Sequence, residues 1–193
     1  MQGLFPLFVK LEGRRCIVVG AGEISEQKIT SLLDTRGTVE VVAPHATGKV
    51  EEWAQERKIR WFKREFRDSD LDGCFLVIVA TSSRQLQERI RHLAKQRGVL
   101  CNVMDVPELC DFYFPAVVRR GALQIAISTG GESPALAQRL RKELEAQFGP
   151  EYEDWLAELG EARKRIREEV VDEATRKAKL HELASDESFR EFL

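Results

Sequence analysis

Residues 16–22 read Cys-Ile-Val-Val-Gly-Ala-Gly, an apolar strand pattern that runs into a glycine turn, and a helical pattern begins immediately after it. In this strand, turn and helix context, the spacing G-x-G-x-x-small is typical of dinucleotide-binding sites. Gly20 permits the tight turn, Gly22 lets a pyrophosphate approach the backbone, and the small Ser25 lets the helix pack close to the strand. The pattern predicts a dinucleotide site at Gly20, Ala21 and Gly22. The alternative is a structural turn without a ligand.

A second strand pattern follows one helix later, at residues 38–44, as a βαβ unit requires. NAD sites usually carry Asp or Glu at the end of this strand, where the carboxylate binds the ribose hydroxyls. Here the strand ends in Ala43 and Pro44, Glu40 lies inside it, and no arginine stands at its end to bind a 2′-phosphate. The choice between NAD and NADP therefore stays open.

Strand and helix patterns continue to alternate up to about residue 104, which is typical of an open parallel sheet. We expect an entry strand and a Glu12-Gly13 turn within residues 5–19. We also expect a first helix over residues 23–35 that ends at Gly37, and a later helix that ends at Gly98.

The pattern changes after residue 105. Residues 112–118 and 123–128 alternate like an antiparallel pair, and a helix pattern over residues 134–147 follows. The charged remainder predicts two or three amphipathic helices. Short paired strands and an apolar helix face leave edges that a second copy would cover. We therefore predict an α/β fold: a Rossmann-type parallel sheet, a small α+β dimerisation region and a C-terminal helical tail. The predicted boundaries are residues 1–112, 113–148 and 149–193.

Composition argues against several function classes. Lys and Arg total 30 against 32 for Asp and Glu, a net charge of −2, so no basic field indicates nucleic-acid binding. No apolar run approaches a membrane span and the N-terminus lacks a signal-peptide pattern, so we expect a cytoplasmic protein. The three histidines lack metal-ligand spacing, and no metal site is predicted. We expect Cys16, Cys74 and Cys101 to be small buried hydrophobes.

Two polar residues near the end of the last parallel strand are candidates for chemistry. Asn102 and Asp105 fall at the carboxyl end of that strand, outside which open α/β sheets bind their ligands. A carboxylate beside a nicotinamide is a candidate general base. The alternative is a turn aspartate before Pro107, which is a common arrangement.

A glycine-rich turn precedes the helix pattern at residue 134. Residues 128–134 read Ser-Thr-Gly-Gly-Glu-Ser-Pro, with Ser133 as the expected N-cap. Backbone N–H groups in such a turn form a nest that suits carboxylates, and arginines in the following helix are suited to further anionic groups. The alternative is a structural turn with solvated arginines. The predicted substrate-binding residues are Ser128, Thr129, Gly130, Gly131 and Arg139.

Together these segments resemble the precorrin-2 dehydrogenase family, which includes the N-terminal part of siroheme synthase and the bifunctional precorrin-2 dehydrogenase/sirohydrochlorin ferrochelatases. The resemblance covers about residues 4–148 in order. It rests on Phe5-Pro6-Leu7-Phe8, Val18-Val19-Gly20-Ala21-Gly22 with Lys28, Val41-Val42-Ala43-Pro44, Ala80-Thr81, Asn102-Val103-Met104-Asp105, Phe112-Tyr113-Phe114-Pro115-Ala116, and Ile127-Ser128-Thr129-Gly130-Gly131-Glu132-Ser133-Pro134 with Leu136-Ala137.

The resemblance implies an enzyme that removes hydrogen from precorrin-2, giving NADH and sirohydrochlorin. In some members a second step inserts Fe²⁺, which is then a substrate, to make siroheme. The resemblance also implies NAD as cofactor, a tetrapyrrole substrate and a homodimer. It implies that Asp105 is the base for oxidation and, in bifunctional members, for metal insertion. The implied NAD contacts are Glu23, Ile24, Ala43, Pro44, Thr81, Asn102 and Val103.

The sequence departs from the family pattern at the rim of the cofactor site. Ser82, Ser83 and Gln87 stand where the family often has an acidic pair and an asparagine, and Gln27 replaces a usual arginine. Two alternatives stay open: a dehydrogenase served by a separate chelatase, or a dinucleotide-sensing regulatory protein whose charged tail binds a partner. Asp105 at a strand end favours an enzyme, as does the glycine turn before residue 134.

Overall fold

The computed structural model describes residues 3–193, and the chain divides into two compact units. The first unit comprises Pro6–Tyr113. The second comprises residues 3–5 together with Phe114–Leu193.

The first unit is built around a five-stranded parallel sheet with the strand order β3-β2-β1-β4-β5. The strands are β1 Arg15–Val19, β2 Thr38–Val42, β3 Arg60–Phe62, β4 Leu76–Val79 and β5 Leu100–Val103. Strand β1 pairs with both β2 and β4, so the glycine turn after β1 lies at the middle of the sheet's carboxyl edge. The predicted Rossmann-type sheet is confirmed.

Helices cover the sheet, and its central strands are buried. The helices are α1 Glu23–Leu33, α2 Gly48–Gln55 and α3 Arg84–Arg97, with short 3-10 turns at Asp68–Leu71 and Pro107–Leu109. Parallel strands covered on both faces are apolar along their whole length. Accordingly Ile17, Val18, Val77 and Ile78 are fully buried.

Two sequence expectations for the first unit are wrong. Residues 3–11 form no strand, and the chain enters the sheet at Arg15 after the Glu12-Gly13 turn. Helix α1 ends at Leu33, and Gly37 does not terminate it. A Cβ on Gly37 would lie 3.3 Å from that of Leu11, so this glycine allows close packing.

The second unit begins with the antiparallel strands β6 Ala116–Arg120 and β7 Leu123–Ile127. The pair is shorter than predicted, because residues 112–115 form no strand. Helix α4 Pro134–Gln147 starts at the expected cap, Ser133, whose hydroxyl accepts from the backbone N–H of Leu136. Three further helices confirm the predicted helical tail: α5 Glu151–Glu169, α6 Glu173–Leu183 and α7 Asp186–Phe192.

No helix within residues 3–193 combines the length and the apolar composition that a membrane crossing requires.

Candidate functional site

The first glycine of the motif is required by a close backbone approach. Gly20 has φ +106°, and a Cβ at this position would lie 2.3 Å from the carbonyl oxygen of Ala80, just after β4. Its N–H donates to the carbonyl oxygen of Val42 at 3.0 Å. The turn is therefore held between the ends of β2 and β4, where only glycine fits.

Helix α1 begins without a side-chain cap. Its N-cap is Gly22, whereas the side chains of Thr47, Ser83, Ser133, Asp172 and Ser185 cap α2, α3, α4, α6 and α7. The first N–H groups of a helix have no partner within it. A Cβ on Gly22 would meet nothing within 4 Å, so the space in front of α1 is open. This end of α1 fits a pyrophosphate.

The third motif position is also consistent with a cofactor. Ser25 is 1% exposed, and its hydroxyl is the one buried side-chain polar atom without a hydrogen-bond partner among residues 3–193. Its small side chain lies on the inner face of α1, as the motif predicts. Glu23 and Ile24 beside it are exposed at the helix start.

One contact beside this turn could not be predicted from the sequence. The Thr47 hydroxyl donates to Glu26 Oε1 at 2.5 Å and accepts the N–H of Val50 at the start of α2. The Thr47 N–H donates to the carbonyl oxygen of Ala21 at 3.0 Å. These bonds join α2 to the glycine turn and engage one of the two acidic residues in the first turn of α1.

A cavity of about 60 Å³ opens at the carboxyl ends of β1, β2 and β4. Its lining residues are Val19, Gly20, Val42, Ala43, Pro44, Glu65, Phe66, Thr81 and Leu86. It brings together four residues predicted to contact the cofactor: Gly20, Ala43, Pro44 and Thr81. Glu65 and Phe66 also line the cavity but were not among the predicted cofactor contacts. They follow β3, a part of the chain that the dinucleotide motif does not include.

The segment after β4 is fixed by Gln87. This side chain is 8% exposed and donates through Nε2 to the Thr81 carbonyl oxygen at 2.7 Å. The Ser83 hydroxyl caps α3, and the Ser83 N–H donates to the Thr81 hydroxyl at 3.3 Å. The departures from the family pattern at Ser83 and Gln87 therefore shape the backbone around Thr81.

The end of β5 carries two of the predicted cofactor residues. Asn102 is 5% exposed, and its Nδ2 donates to the Phe112 carbonyl oxygen at 2.8 Å. The Val103 N–H donates to Cys110 Sγ at 3.3 Å. The Asn102 amide group thus binds the segment that returns from β5, a structural use that the sequence did not indicate.

Asp105 follows β5 in a left-handed backbone conformation, with φ +61°, and is exposed. Few residues other than glycine adopt this region, although Asn and Asp tolerate it best. Lys28 of α1 is close enough to interact electrostatically: burial lowers the pKa of Lys28, and the negative charge of Asp105 partly opposes that shift. The structure therefore brings an exposed carboxylate and a half-buried ammonium group together at the carboxyl edge of the sheet.

The residues predicted to bind substrate lie in the second unit. Gly130 and Gly131 both have positive φ, and the Gly130 N–H donates to the Ser128 hydroxyl at 3.1 Å. Thr129 closes the turn onto Ser133 with two hydrogen bonds. Arg139 is exposed and pairs with Glu143 at 3.2 Å.

Three of the cysteines belong to the core, as predicted. Cys16, Cys74 and Cys101 are buried, and burial raises their pKa values to about 11, about 12 and about 12. Cys110 is half-buried, and burial raises its pKa as well. Among residues 3–193, no group of three His, Cys, Asp or Glu side chains is placed to hold a metal ion.

Comparison with known families agrees with this geometry. Residues 7–116, more than half of the chain, match the family model described as putative NAD(P)-binding. The chain belongs to this NAD(P)-binding family. Residues 120–147 match the family model described as sirohaem biosynthesis protein, central. The two matches follow one another along the chain and confirm the resemblance seen in the sequence.

Individual relatives point the same way. The chain is 36% identical over 170 residues to a siroheme synthase of Nitrosococcus oceani, covering 88% of this chain and 36% of the relative. It is 41% identical over 165 residues to a siroheme synthase of Pseudomonas entomophila, covering 86% and 35%. The chain thus spans about a third of the length of these curated relatives. Among solved structures, SirC, a precorrin-2 dehydrogenase, matches with TM-score 0.82 and 27% identity, covering 98% of this chain and 96% of that one.

Proposed function

We propose that this chain is an NAD-dependent dehydrogenase that oxidises precorrin-2 to sirohydrochlorin. The observation that carries the proposal is a dinucleotide cradle on a fold that matches a precorrin-2 dehydrogenase along nearly its whole length. The uncapped start of α1 and the open space at Gly22 fit the cofactor's pyrophosphate. When bound, NAD supplies the acceptor for the hydride removed from the macrocycle.

In this proposal, the chain holds the cofactor along the carboxyl edge of the sheet. Gly20, Ala21 and Gly22 cradle the pyrophosphate together with the N–H groups at the start of α1. Ala43, Pro44 and Thr81 enclose the adenosine half, since all three line the cavity beside the glycine turn. The remaining contacts are assigned to Glu23, Ile24, Asn102 and Val103.

The cofactor assignment is NAD, with NADP as the alternative. None of the nine residues that line the cavity is basic, and one of them, Glu65, is acidic. A 2′-phosphate needs a cationic partner, whereas ribose hydroxyls need hydrogen-bond acceptors. The charge of the cavity therefore supports NAD.

Asp105 is assigned as the base that takes the proton released during oxidation. Its carboxylate is exposed, so it is accessible to a substrate, and its left-handed backbone is an uncommon conformation of the kind that recurs at active sites. A regulatory dinucleotide sensor would need neither feature. In the second unit, we assign Ser128, Thr129, Gly130, Gly131 and Arg139 to the carboxylate groups of the tetrapyrrole.

Iron insertion into sirohydrochlorin is a second candidate function. Chelation also requires protons to leave the macrocycle, and the exposed carboxylate of Asp105 suits that step. Fe²⁺ would be a substrate in this reaction. The alternative is a dehydrogenase that leaves chelation to a separate protein.

We place the reaction in the cytoplasm. The structure records all four cysteines as free thiols, and three of them lie in the core. Free buried thiols are typical of a reducing compartment.

The test is to supply the full chain with precorrin-2 and NAD, and to follow reduced nicotinamide and sirohydrochlorin by absorbance. We expect both products to appear in equal amounts. A chain that binds NAD but forms neither product would overturn the dehydrogenase proposal in favour of a sensor. Adding Fe²⁺ to sirohydrochlorin in a separate reaction then tests chelation, with buffer alone as the control for spontaneous insertion.

A further inference from the structure

The cavity contains a carboxylate that the dinucleotide motif does not supply. In NAD-selective Rossmann sites an acidic residue stands at the end of β2, and here that place is taken by Ala43 and Pro44. Glu65, on the loop after β3, lines the same cavity. Strand β3 pairs with β2 in parallel, with Val42 opposite Phe62, so the loops after both strands reach the same edge of the sheet.

We propose that Glu65 selects NAD over NADP in place of the missing carboxylate of β2. This inference rests on the proposed function and deepens it by naming the residue that discriminates between the two cofactors. The Glu65 carboxylate accepts hydrogen bonds from the ribose hydroxyls of NAD. It repels the 2′-phosphate of NADP, because two negative charges then face each other.

The loop that carries Glu65 is held in place by an ion pair between the partly exposed Arg64 and the buried Asp70. Asp70 is 6% exposed and accepts two hydrogen bonds from the Arg64 guanidinium, at 2.6 and 2.9 Å. The same guanidinium donates to the backbone carbonyl oxygen of Glu65 at 2.9 Å. The Arg67 N–H donates to Asp70 at 2.8 Å, which fixes the far side of the loop. The backbone at Glu65 is therefore positioned independently of any ligand.

The carboxylate of Glu65 is available to a ligand. Within residues 3–193 it forms no ion pair or side-chain hydrogen bond, and the residue is exposed. The cations on either side of it in sequence point to other partners or to solvent. Arg64 is engaged by Asp70, the Lys63 ammonium lies 5.3 Å from the centre of the Trp61 ring, and Arg67 is exposed. Glu65 is thus the charged side chain that the cavity presents to a cofactor.

The test compares NAD and NADP binding to the wild-type chain and to Glu65→Gln by calorimetry, without any tetrapyrrole. Glutamine keeps the size and one acceptor but removes the charge. We expect wild type to prefer NAD and the variant to lose about tenfold or more of that preference, mainly through tighter NADP binding. Glu56→Gln is the matched control, because it removes an exposed negative charge from the same unit, at the end of α2. It should leave the preference unchanged.

The outcomes separate this inference from the function on which it rests. A wild-type chain that prefers NAD, with the same preference in Glu65→Gln, would overturn the role of Glu65 and leave the NAD-dependent function intact. A wild-type chain that prefers NADP or binds neither dinucleotide would overturn both. Ionic strength gives an independent check, since screening by salt should reduce the preference of wild type and have little effect on the variant.

Discussion

Gly22 is the residue at which cofactor binding and folding are most clearly separable. A Cβ there would enter open space, and φ is negative, so a side chain causes no strain. Aspartate is also a favourable N-cap and should stabilise α1 by a few tenths of a kcal/mol relative to glycine. In Gly22→Asp the carboxylate would occupy the N–H groups that the pyrophosphate needs and would repel it. We expect a folded protein that no longer binds NAD, measured by calorimetry and circular dichroism.

A matched control for this variant is Gly160→Asp on α5. That glycine is exposed, and a Cβ on it would also meet nothing within 4 Å. The control adds the same charge far along the chain from the glycine turn and should bind NAD as wild type does. If the folded Gly22→Asp variant binds NAD with wild-type affinity, the proposal that the pyrophosphate binds at the start of α1 is contradicted.

Single residues differ in how far the sequence determines their role. Gly20 could be predicted, because the turn after a central strand imposes a backbone that only glycine adopts. The role of Asn102 could be predicted only in part, because its amide donates a hydrogen bond to the carbonyl oxygen of Phe112, ten residues later. The same holds for Gln87, which fixes Thr81, and for Glu65, which enters the cavity from a different strand. These roles depend on contacts made only after folding.

The loop between β3 and β4 depends on one ion pair. Burial alone would raise the pKa of Asp70, but hydrogen bonds from Arg64 and from the Arg67 N–H outweigh it and hold that pKa below its usual 3.8. A carboxyl group with a depressed pKa stabilises the fold above its unfolded-state pKa, and this stabilisation is lost as pH falls through the folded-state value. We expect Asp70→Asn to lower the free energy of unfolding by about 2 kcal/mol at neutral pH.

Urea unfolding at neutral pH and in acid measures this contribution. The difference between wild type and Asp70→Asn should shrink in acid, where the wild-type carboxyl is itself protonated. Glu52→Gln is the control, because the Lys49–Glu52 pair on α2 is exposed and such pairs contribute little to stability. An equal effect of the two substitutions would contradict the assigned role of Asp70.

Whole elements were predictable where the signals are local. Ser133 caps α4 as expected, and Gly98 ends α3 in the left-handed region, also as expected. The prediction of an entry strand was wrong because a strand needs a neighbouring strand to pair with. The apolar pattern at residues 5–9 does not reveal that β1 is already paired on both sides. Its apolar side chains are instead exposed, Phe5 by 84% and Phe8 by 69%.

For the whole molecule, we predict a homodimer formed through residues 113–148. Strands β6 and β7 pair only with each other among the described residues, so their outer edges carry unpaired backbone groups that a second copy can cover. Ile125 and Ile127 on β7 are only half-buried within one chain. Sedimentation equilibrium over a concentration series should give twice the single-chain mass of 22.0 kDa. A species of 22.0 kDa at every concentration would exclude this interface.

Cofactor binding is assigned to the cradle at Gly20–Gly22 and proton removal to Asp105, so one substitution should separate the two. Asp105→Asn keeps a residue type that tolerates φ +61° and removes the ability to take a proton at neutral pH. Asp34→Asn, at the exposed end of α1, is the control for loss of one negative charge.

The decisive measurement is the rate of precorrin-2 oxidation by Asp105→Asn, taken beside its affinity for NAD. We predict wild-type NAD affinity and a rate about 10² to 10⁴ lower than wild type, with the Asp34→Asn rate unchanged. Oxidation by Asp105→Asn at the wild-type rate would contradict the account, because Asp105 would then serve only as a turn residue before Pro107.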